Sequence, residues 1–476
     1  MRQLYIAVAI PKMTYGAEVW YMPPIKPTGA ARNVGSVGAL KGLQKTHRMA
    51  TLAINGALRT TPTDLLDAHA GIFPIELTLL KACHRATTRM CTLPQTHPIH
   101  QLIRSAASKR PKKHLGPLDH LFERYNINPS KLETIYPTNE DAQSESFLTE
   151  IANTREGSIE QEKGDNADFK IYSDGSGNNG ETGAAAVLYK KGQTEPIKST
   201  QKYIGPAREH NTYEAEVVGA ILAMWLIKST PETSGKTVSF YTDNQSLIHS
   251  MHRPRATSGQ HLVKNLISEA KKVNARLRIK WISGHSNVPG NEKADELAGE
   301  AAGGRSSRQE NLPPKLRLQI QMSASATKQE YHSSLLRKWK AMWTQSPRRT
   351  KFSEQINEDF LFTKYRKLRN GLTREQASIV MQIRCRHIPL NAYLHRIGKL
   401  ASRMCQKCNQ GEEGIPETVK HFVFECPTYT ENRRIMENVT GRGQTDLKEI
   451  MTDLKKLNAL TAYINQTKRF KQQELP

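Results

Sequence analysis

The chain of 476 residues is short of three things: aromatic side chains (7 %), cysteines (six) and acids (45 Asp+Glu against 69 Lys+Arg). Six cysteines in so long a chain cannot make the disulfide framework of a small secreted domain, so a reducing intracellular setting, nucleus or cytoplasm, is expected. No apolar run approaches the roughly 18 residues that a membrane helix needs, and no membrane partner is expected. The start, Met1-Arg-Gln-Leu-Tyr-Ile-Ala-Val-Ala-Ile-Pro11, has a short apolar stretch with no small-x-small cleavage site after it, unlike a signal peptide. The shortage of acid leaves a formal charge of +24 and a pI near 9.7. That excess favours a polyanionic partner, nucleic acid before an anionic surface.

The length predicts two to four domains, and 37 % hydrophobic residues suffice for ordinary cores. Residues 1–136 read as a helical region. Leu40, Leu43, His47, Ala50 and Ile54 form an apolar stripe with Lys41, Lys45 and Arg48 off it, and His47 on that stripe reads as a packed core histidine. Thr61 reads as the N-cap of a helix with Pro62 at its first position, and Gly71 as its stop. Lys109-Arg-Pro-Lys-Lys113 is a candidate nuclear import run or a solvated basic surface. Residues 137–168 hold nine acids and two bases, a composition that predicts an acidic, disordered linker over 137–167.

Residues 168–303 alternate between strand and helix periods in the order β-β-β-α-β-α-α-β-α, which predicts an α/β domain with one five-stranded mixed sheet and flanking helices. Residues 304–334 read as a second linker. Residues 335–476 read as a basic helical module: positions 335–405 hold sixteen Lys+Arg against four acids, interleaved with Trp339, Trp343, Phe352, Phe362 and Tyr365. Bases neutralise phosphates and aromatics stack nucleobases, although the same aromatics suit a helical core.

Four carboxylates stand in four separate elements. Asp174 is expected at the end of the strand Phe169-Lys-Ile-Tyr-Ser173, with Gly175 and Gly177 turning the chain. Glu216 lies on the first helix in Thr212-Tyr-Glu-Ala-Glu-Val217, where Glu214 competes with it but points to another helix face. Asp243 follows the strand Val238-Ser-Phe-Tyr-Thr242. Asp295 lies in Gly284-His-Ser-Asn-Val-Pro-Gly-Asn-Glu-Lys-Ala-Asp295. Taken singly they read as a turn aspartate, an N-cap and surface helix acids. Converging acids repel unless cations lie between them. Hard oxygen ligands of this kind suit Mg²⁺ or Mn²⁺, and two such ions serve phosphodiester hydrolysis.

In order, setting and spacing these motifs resemble a type 1 ribonuclease H of the form attached to reverse transcriptases. The resemblance implies a ribonuclease H-like fold and cleavage of the RNA strand in RNA–DNA hybrids with two Mg²⁺ or Mn²⁺ ions. It implies that Asp174 bridges both ions, that Glu216 and Asp243 hold the ion at the attacking and leaving side, and that Asp295 completes the second site. His285 takes the place of a mobile histidine that assists product release, and Glu292 a position near the second ion. Ser176, Gly177, Thr212, Asn244 and Asn291 are the expected substrate contacts, with Asn291 orienting the loop. Where many cellular relatives read the RNA minor groove with amides, this chain has Thr212 and Tyr213, after Asn211. The two glycines after Asp174 are expected to keep side chains clear of the scissile phosphate.

Cys405-x₂-Cys408-x₁₂-His421-x₄-Cys426 has the spacing of a closed tetrahedral Zn²⁺ site, structural because no coordination position stays open. His387 and His395 compete at poorer spacing, and Cys385 reads as a buried thiol. This segment resembles the zinc-knuckle-like stretch after the ribonuclease H domain of fungal retroelements. Ile10-Pro-Lys-Met-Thr-Tyr-Gly-Ala-Glu-Val-Trp20, Leu43-Gln-Lys45, Arg59-Thr-Thr-Pro62 and Gly71-Ile-Phe-Pro74 resemble the thumb and connection region of non-LTR retrotransposon reverse transcriptases. No aromatic-x-Asp-Asp polymerase signature occurs, so no polymerase activity is expected. The competing expectation is an inactive retroelement remnant that only binds nucleic acid.

Overall fold

The structure is a computed structural model that describes residues 1–108, 114–137, 147–348, 362–408, 414–443 and 446–470. The basic run Lys109–Lys113, Phe352 and positions 138–146 of the expected linker lie outside the described residues. Two compact units form: residues 83–333, and residues 1–82 together with 334–476. Among the described residues no helix is long and apolar enough to cross a membrane.

In the 83–333 unit, strands β1 (Leu148–Glu150), β2 (Phe169–Asn178), β3 (Glu181–Lys190), β4 (Lys198–Pro206), β5 (Thr237–Thr242) and β6 (Arg276–Trp281) make one sheet in the order β1-β6-β5-β2-β3-β4. The hairpin β2–β3 and its neighbour β4 are antiparallel, and β1, β6, β5 and β2 run parallel. The helices of the unit's sheet layer are α1 (Arg155–Lys163), α2 (Thr212–Lys228), α3 (Gln245–His252), α4 (Gln260–Ala270) and α5 (Pro289–Ala302). On one face Phe169, Ile171, Ala184, Ala186 and Leu188 pack with α2 and α4; on the other Tyr172, Val187 and Tyr241 pack with Val288 and Ala294 at α5. The expected five strands are all present. The fold is ribonuclease H-like, with a mixed sheet and helices on both faces.

The sixth strand, β1, corrects the linker expectation for residues 147–167. Low hydrophobicity pointed to disorder, yet the acids there have partners waiting on the sheet. Lys280, itself buried, pairs with Glu150 at 3.0 Å and lies 3.6 Å from Asp165. Glu162 accepts from Lys170 Nζ at 2.7 Å and from the Tyr172 hydroxyl at 2.6 Å, and Asp165 accepts from the Tyr241 hydroxyl at 2.6 Å. Buried donors need acceptors, and this segment supplies them.

Residues 304–334 are likewise no free linker. Leu312, Leu316 and Ile320 enter the α2 core. Ser307 N donates to Gln201 O at 2.8 Å and Ser306 Oγ accepts from Tyr203 N at 2.9 Å, which satisfies the open edge of β4. Residues 83–136 belong to this unit as well. Buried Glu133 accepts from Gly259 N at 2.7 Å and Ala324 N at 2.8 Å, and also from the Ser258 hydroxyl. The expected hairpin turn moves too. Gly175 and Gly177 lie inside β2, so Asp174 is mid-strand, and the turn falls at Asn179–Gly180 with φ of 49° and 81°.

The other unit is helical. Its core joins Leu65 and Leu66 to Trp343, Phe362, Tyr365, Val380, Phe422 and Tyr463, so the described aromatics of the basic stretch are core side chains. Helix Val37–Asn55 leaves its last carbonyls to side chains far along the chain: Arg374 donates to Ile54 O at 3.0 Å and Ser378 Oγ to Gly56 O at 2.6 Å. The separate regions 1–136 and 335–476 are thereby redrawn. His47 is buried and bonded to Tyr5 Oη at 2.8 Å and Asp67 Oδ1 at 3.0 Å. The helix after Thr61 begins at Thr63 with Pro62 as its cap residue, one position later than expected.

Candidate functional site

Strand alternation decides which way each residue of β2 faces. Asp174 shares the face of Tyr172, toward α5. Gly175 shares the face of Ile171, toward α2. A Cβ on Gly175 would come within 2.2 Å of Glu216 N and 2.4 Å of Ala215 C, and one on Gly219 within 2.8 Å of Asp174 O. The missing side chains let helix and strand touch backbone to backbone at the level of Glu216. Gly175 therefore serves the approach of α2, which corrects the expectation that it clears space for a phosphate. A Cβ on Gly177 would stand 2.9 Å from Thr212 Cγ2.

The result is a convergence of acids. One ligand oxygen each from Asp174, Glu216 and Asp243 lie within 4.8 Å of one another, and so do ligand atoms of His285, Glu292 and Asp295. The Asp295 carboxyl is near enough to Asp174 to raise it, which relates the two groups. Asp174 is 7 % exposed and Glu216 9 %. Burial, then the charges of Asp243 and Asp295, push the Asp174 carboxyl up to about 7. Burial, then Asp174 and Asp243, hold Glu216 well above the usual carboxylate range. Burial raises Asp243, against the opposing influence of His285. Glu216 Oε2 is buried with no hydrogen-bond partner among the described residues. Gathered, mutually repelling carboxylates, one with an orphaned oxygen, are the donor set for hard divalent cations, so the residues present fit such ions.

Glu214 is used otherwise. It accepts from Asn211 N at 3.1 Å while Asn211 Oδ1 accepts from Glu214 N at 2.9 Å, a capping box at the start of α2. Asn244 is the N-cap of α3, its Oδ1 accepting from Leu247 N at 3.1 Å. Asn291 is 3 % exposed, which takes it off the substrate-facing surface. Gly177 and Thr212 do meet, lining one cleft of about 480 Å³ with Arg208 and Asn211. Ser176 is half-buried beside them on β2. His285 is exposed on the loop before α5 and, like Asn287, has a left-handed backbone, φ 50° and 56°.

Sequence reasoning missed what braces that loop. Arg155, at the start of α1, donates from Nη2 to His285 O at 2.5 Å, and Ser158 Oγ accepts from Ser283 N at 3.2 Å. A signal existed: Thr154 is an N-cap, its Oγ1 accepting from Gly157 N at 3.0 Å, with Glu156 in the first turn. The surrounding acidity hid it.

The RNase H family model matches residues 166–303. Ribonuclease H of Aeromonas salmonicida is 32 % identical over 144 residues, 28 % of this chain and 90 % of that protein. The chain belongs to the ribonuclease H family. Ribonuclease H of Bradyrhizobium diazoefficiens is 33 % identical over 143 residues, covering 27 % of this chain and 85 % of its own length. Among solved structures, the compost-derived LC11 ribonuclease H1 in complex with an RNA/DNA hybrid is similar at 18 % identity and a TM-score of 0.25, over 29 % of this chain and 97 % of that one. The ribonuclease H match ends at Gly303 and does not reach the second cluster.

That cluster lies in the helical unit. Ligand atoms of Cys405, Cys408, His421 and Cys426 lie within 4.8 Å of one another. Cys408 Sγ is 3.4 Å from His421 Nε2 and 3.1 Å from Cys426 Sγ. Cys405, His421 and Cys426 are buried. Three thiols and one imidazole, with no fifth donor group among the described residues, fit one tetrahedral ion such as Zn²⁺. His387 and His395 turn elsewhere, to Thr60 Oγ1 at 3.3 Å and Leu400 O at 3.1 Å. Cys385 is a buried thiol pushed up to about 12 by burial.

Proposed function

We propose that residues 166–303 hydrolyse the RNA strand of RNA–DNA hybrids, leaving 5′-phosphate and 3′-hydroxyl ends, and that Asp174, Glu216, Asp243 and Asp295 hold two Mg²⁺ or Mn²⁺ ions. The gathering of four buried or half-buried acids that act on one another's charge carries this reading. When bound, the ions supply an activated water and stabilisation of the leaving oxygen. The chain's residues do the rest. Asp174, between Glu216 and Asp295, is the shared ligand. Glu292 lies beside Asp295 and supports the second position. His285, exposed on the loop before α5, assists product release. Gly177 and Thr212 present a narrow cleft to the hybrid, with Ser176 beside them; Asn244 and Asn291 act by shaping their helix starts.

The cysteine–histidine cluster is proposed to hold structural Zn²⁺. A retroelement origin without polymerase activity, and a nuclear or cytoplasmic location, are the readings the sequence motifs support. The test is hydrolysis of a labelled hybrid with Mg²⁺, beside double-stranded RNA and double-stranded DNA. Cleavage confined to the hybrid and lost in Asp174→Asn is the expected result. Equal cleavage by both proteins overturns the assignment of the activity to this carboxylate site, and none by either at any Mg²⁺ or Mn²⁺ concentration overturns it in favour of a chain that only binds.

A further inference from the structure

The helical unit contains a cavity of about 590 Å³ whose lining, among the described residues, includes Arg2, Arg366, Lys367, Arg369 and Arg374 and no Asp or Glu. Five cations around one concavity, with no acid among the described lining residues, mirror the gathered acids of the ribonuclease site. Like charges repel, and the assembly carries that cost unless it meets an anion.

Three of the five are held in place by helix ends. Arg2 Nε donates to Ala70 O at 2.6 Å and its Nη2 to Gly71 O at 3.1 Å. Arg374 Nη1 donates to Ile54 O at 3.0 Å, and Arg369 and Arg374 also bond Ile54 O and Ala53 O. These are the carbonyls that helices Val37–Asn55 and Thr63–Ala70 leave open at their C-termini. A neutral carbonyl fixes a guanidinium without cancelling its charge, and each guanidinium keeps further donors to offer. Helix capping accounts for these three but not for the other two. Arg366 Nε is buried with no hydrogen-bond partner among the described residues. Burial, then the charge of Arg2, hold Arg366 below the usual arginine range, and burial, then Arg374 and Arg2 against Tyr365, do the same for Arg369. Lys367 is exposed at the mouth. Thr373 adds a hydroxyl to the lining.

We infer that this cavity binds the backbone phosphates of a nucleic-acid strand, as a second contact site outside the ribonuclease cleft. The ligand is a phosphate because planar guanidinium forks match its oxygens in pairs. It is a polymer because five cations exceed what one phosphate dianion needs, and the chain as a whole carries +24. The inference does not depend on hydrolysis, since none of these residues lies in the 83–333 unit.

The experiment uses the full chain and a fluorescent 20-nucleotide single strand of DNA, titrated across salt concentrations in magnesium-free buffer. The variant combines Arg366→Gln with Lys367→Gln, two side chains that bond no helix end, so the melting temperature stays equal to wild type or rises as repulsion is relieved. The expected result is weaker binding, with the slope of log affinity against log salt reduced by about 1.4, from roughly 0.7 per lost phosphate contact. The charge-keeping pair Arg366→Lys with Lys367→Arg restores the slope. An unchanged slope in the Gln pair overturns the inference. So does thermal stabilisation by inorganic pyrophosphate that the Gln pair loses while strand binding stays whole, which assigns the cavity to a free anion.

Discussion

The carboxylate cluster and the thiol cluster each gather four candidate ligands, yet they are built in opposite ways. The carboxylates come from β2, α2, the end of β5 and α5, spread over residues 174–295, and sit at the edge of an apolar core that extends under all of them. The thiols and imidazole come from residues 405–426 alone, where short turns such as Cys408 N to Cys405 O at 3.3 Å carry the chain. A scaffold that folds on its own can hold charges in conflict and leave a cleft open for substrate. The thiol stretch, whose Cys405, Phe422, Val423 and Cys426 join the helical unit's core, gathers its ligands within one short segment that a bound ion would tie together.

The largest test of that contrast is Asp174→Asn. Hybrid cleavage should fall about a thousandfold or more, since a shared ligand serves both ions, while circular dichroism stays native. Loss of the fold together with activity would make the carboxylates as structural as the thiols. Next comes zinc removal. A chelator selective for Zn²⁺ over Mg²⁺ should unfold residues near 385–430, read as new hydrogen exchange there, and leave hybrid cleavage in place. Protection that survives chelation removes the zinc assignment.

A third test turns on pH. In folded, metal-free protein the Asp174 carboxyl is raised to about 7 from its ordinary 3.8. Between those values the folded chain keeps a proton that the unfolded chain has released. Metal-free stability therefore falls as pH rises from about 4 to about 7, a trend that melting curves should show and that Asp174→Asn should flatten. Added Mg²⁺ should restore stability at the upper end. The smallest effect is expected from Arg155→Ala. Freeing the carbonyl of His285 should lower kcat a few-fold, about 1 kcal/mol, with KM little changed. A loss confined to KM would show that the brace serves hybrid binding instead.

The sequence was most legible where its periodicity is strongest. The five strands and four helices of 168–303 follow from alternation and caps. The positions of Asp174, Glu216, Asp243 and Asp295 follow from their places at element ends and helix faces. Legibility failed where charge or glycine carried two meanings. Glu150, Glu162 and Asp165 looked like solvent-facing linker acids because their partners, Lys280, Lys170, Tyr172 and Tyr241, come from the sheet itself. Gly175 looked like a turn because the backbone it accommodates belongs to a helix some forty residues away. The pairing of residues 1–82 with 334–476 was invisible for a similar reason. Open helix carbonyls do not name their donors, and here the donors are more than three hundred residues distant.

The short strand β1 has a practical meaning for anyone dissecting this chain. It covers the outer edge of β6 through the pairs Leu148–Arg278, Thr149–Ile279 and Glu150–Lys280. A fragment trimmed to the family match at residue 166 would bare that edge and strip Lys280 of both its carboxylates. Bare parallel edges recruit other chains. Such a fragment should precipitate or self-associate, whereas one that begins at residue 147 should remain monodisperse.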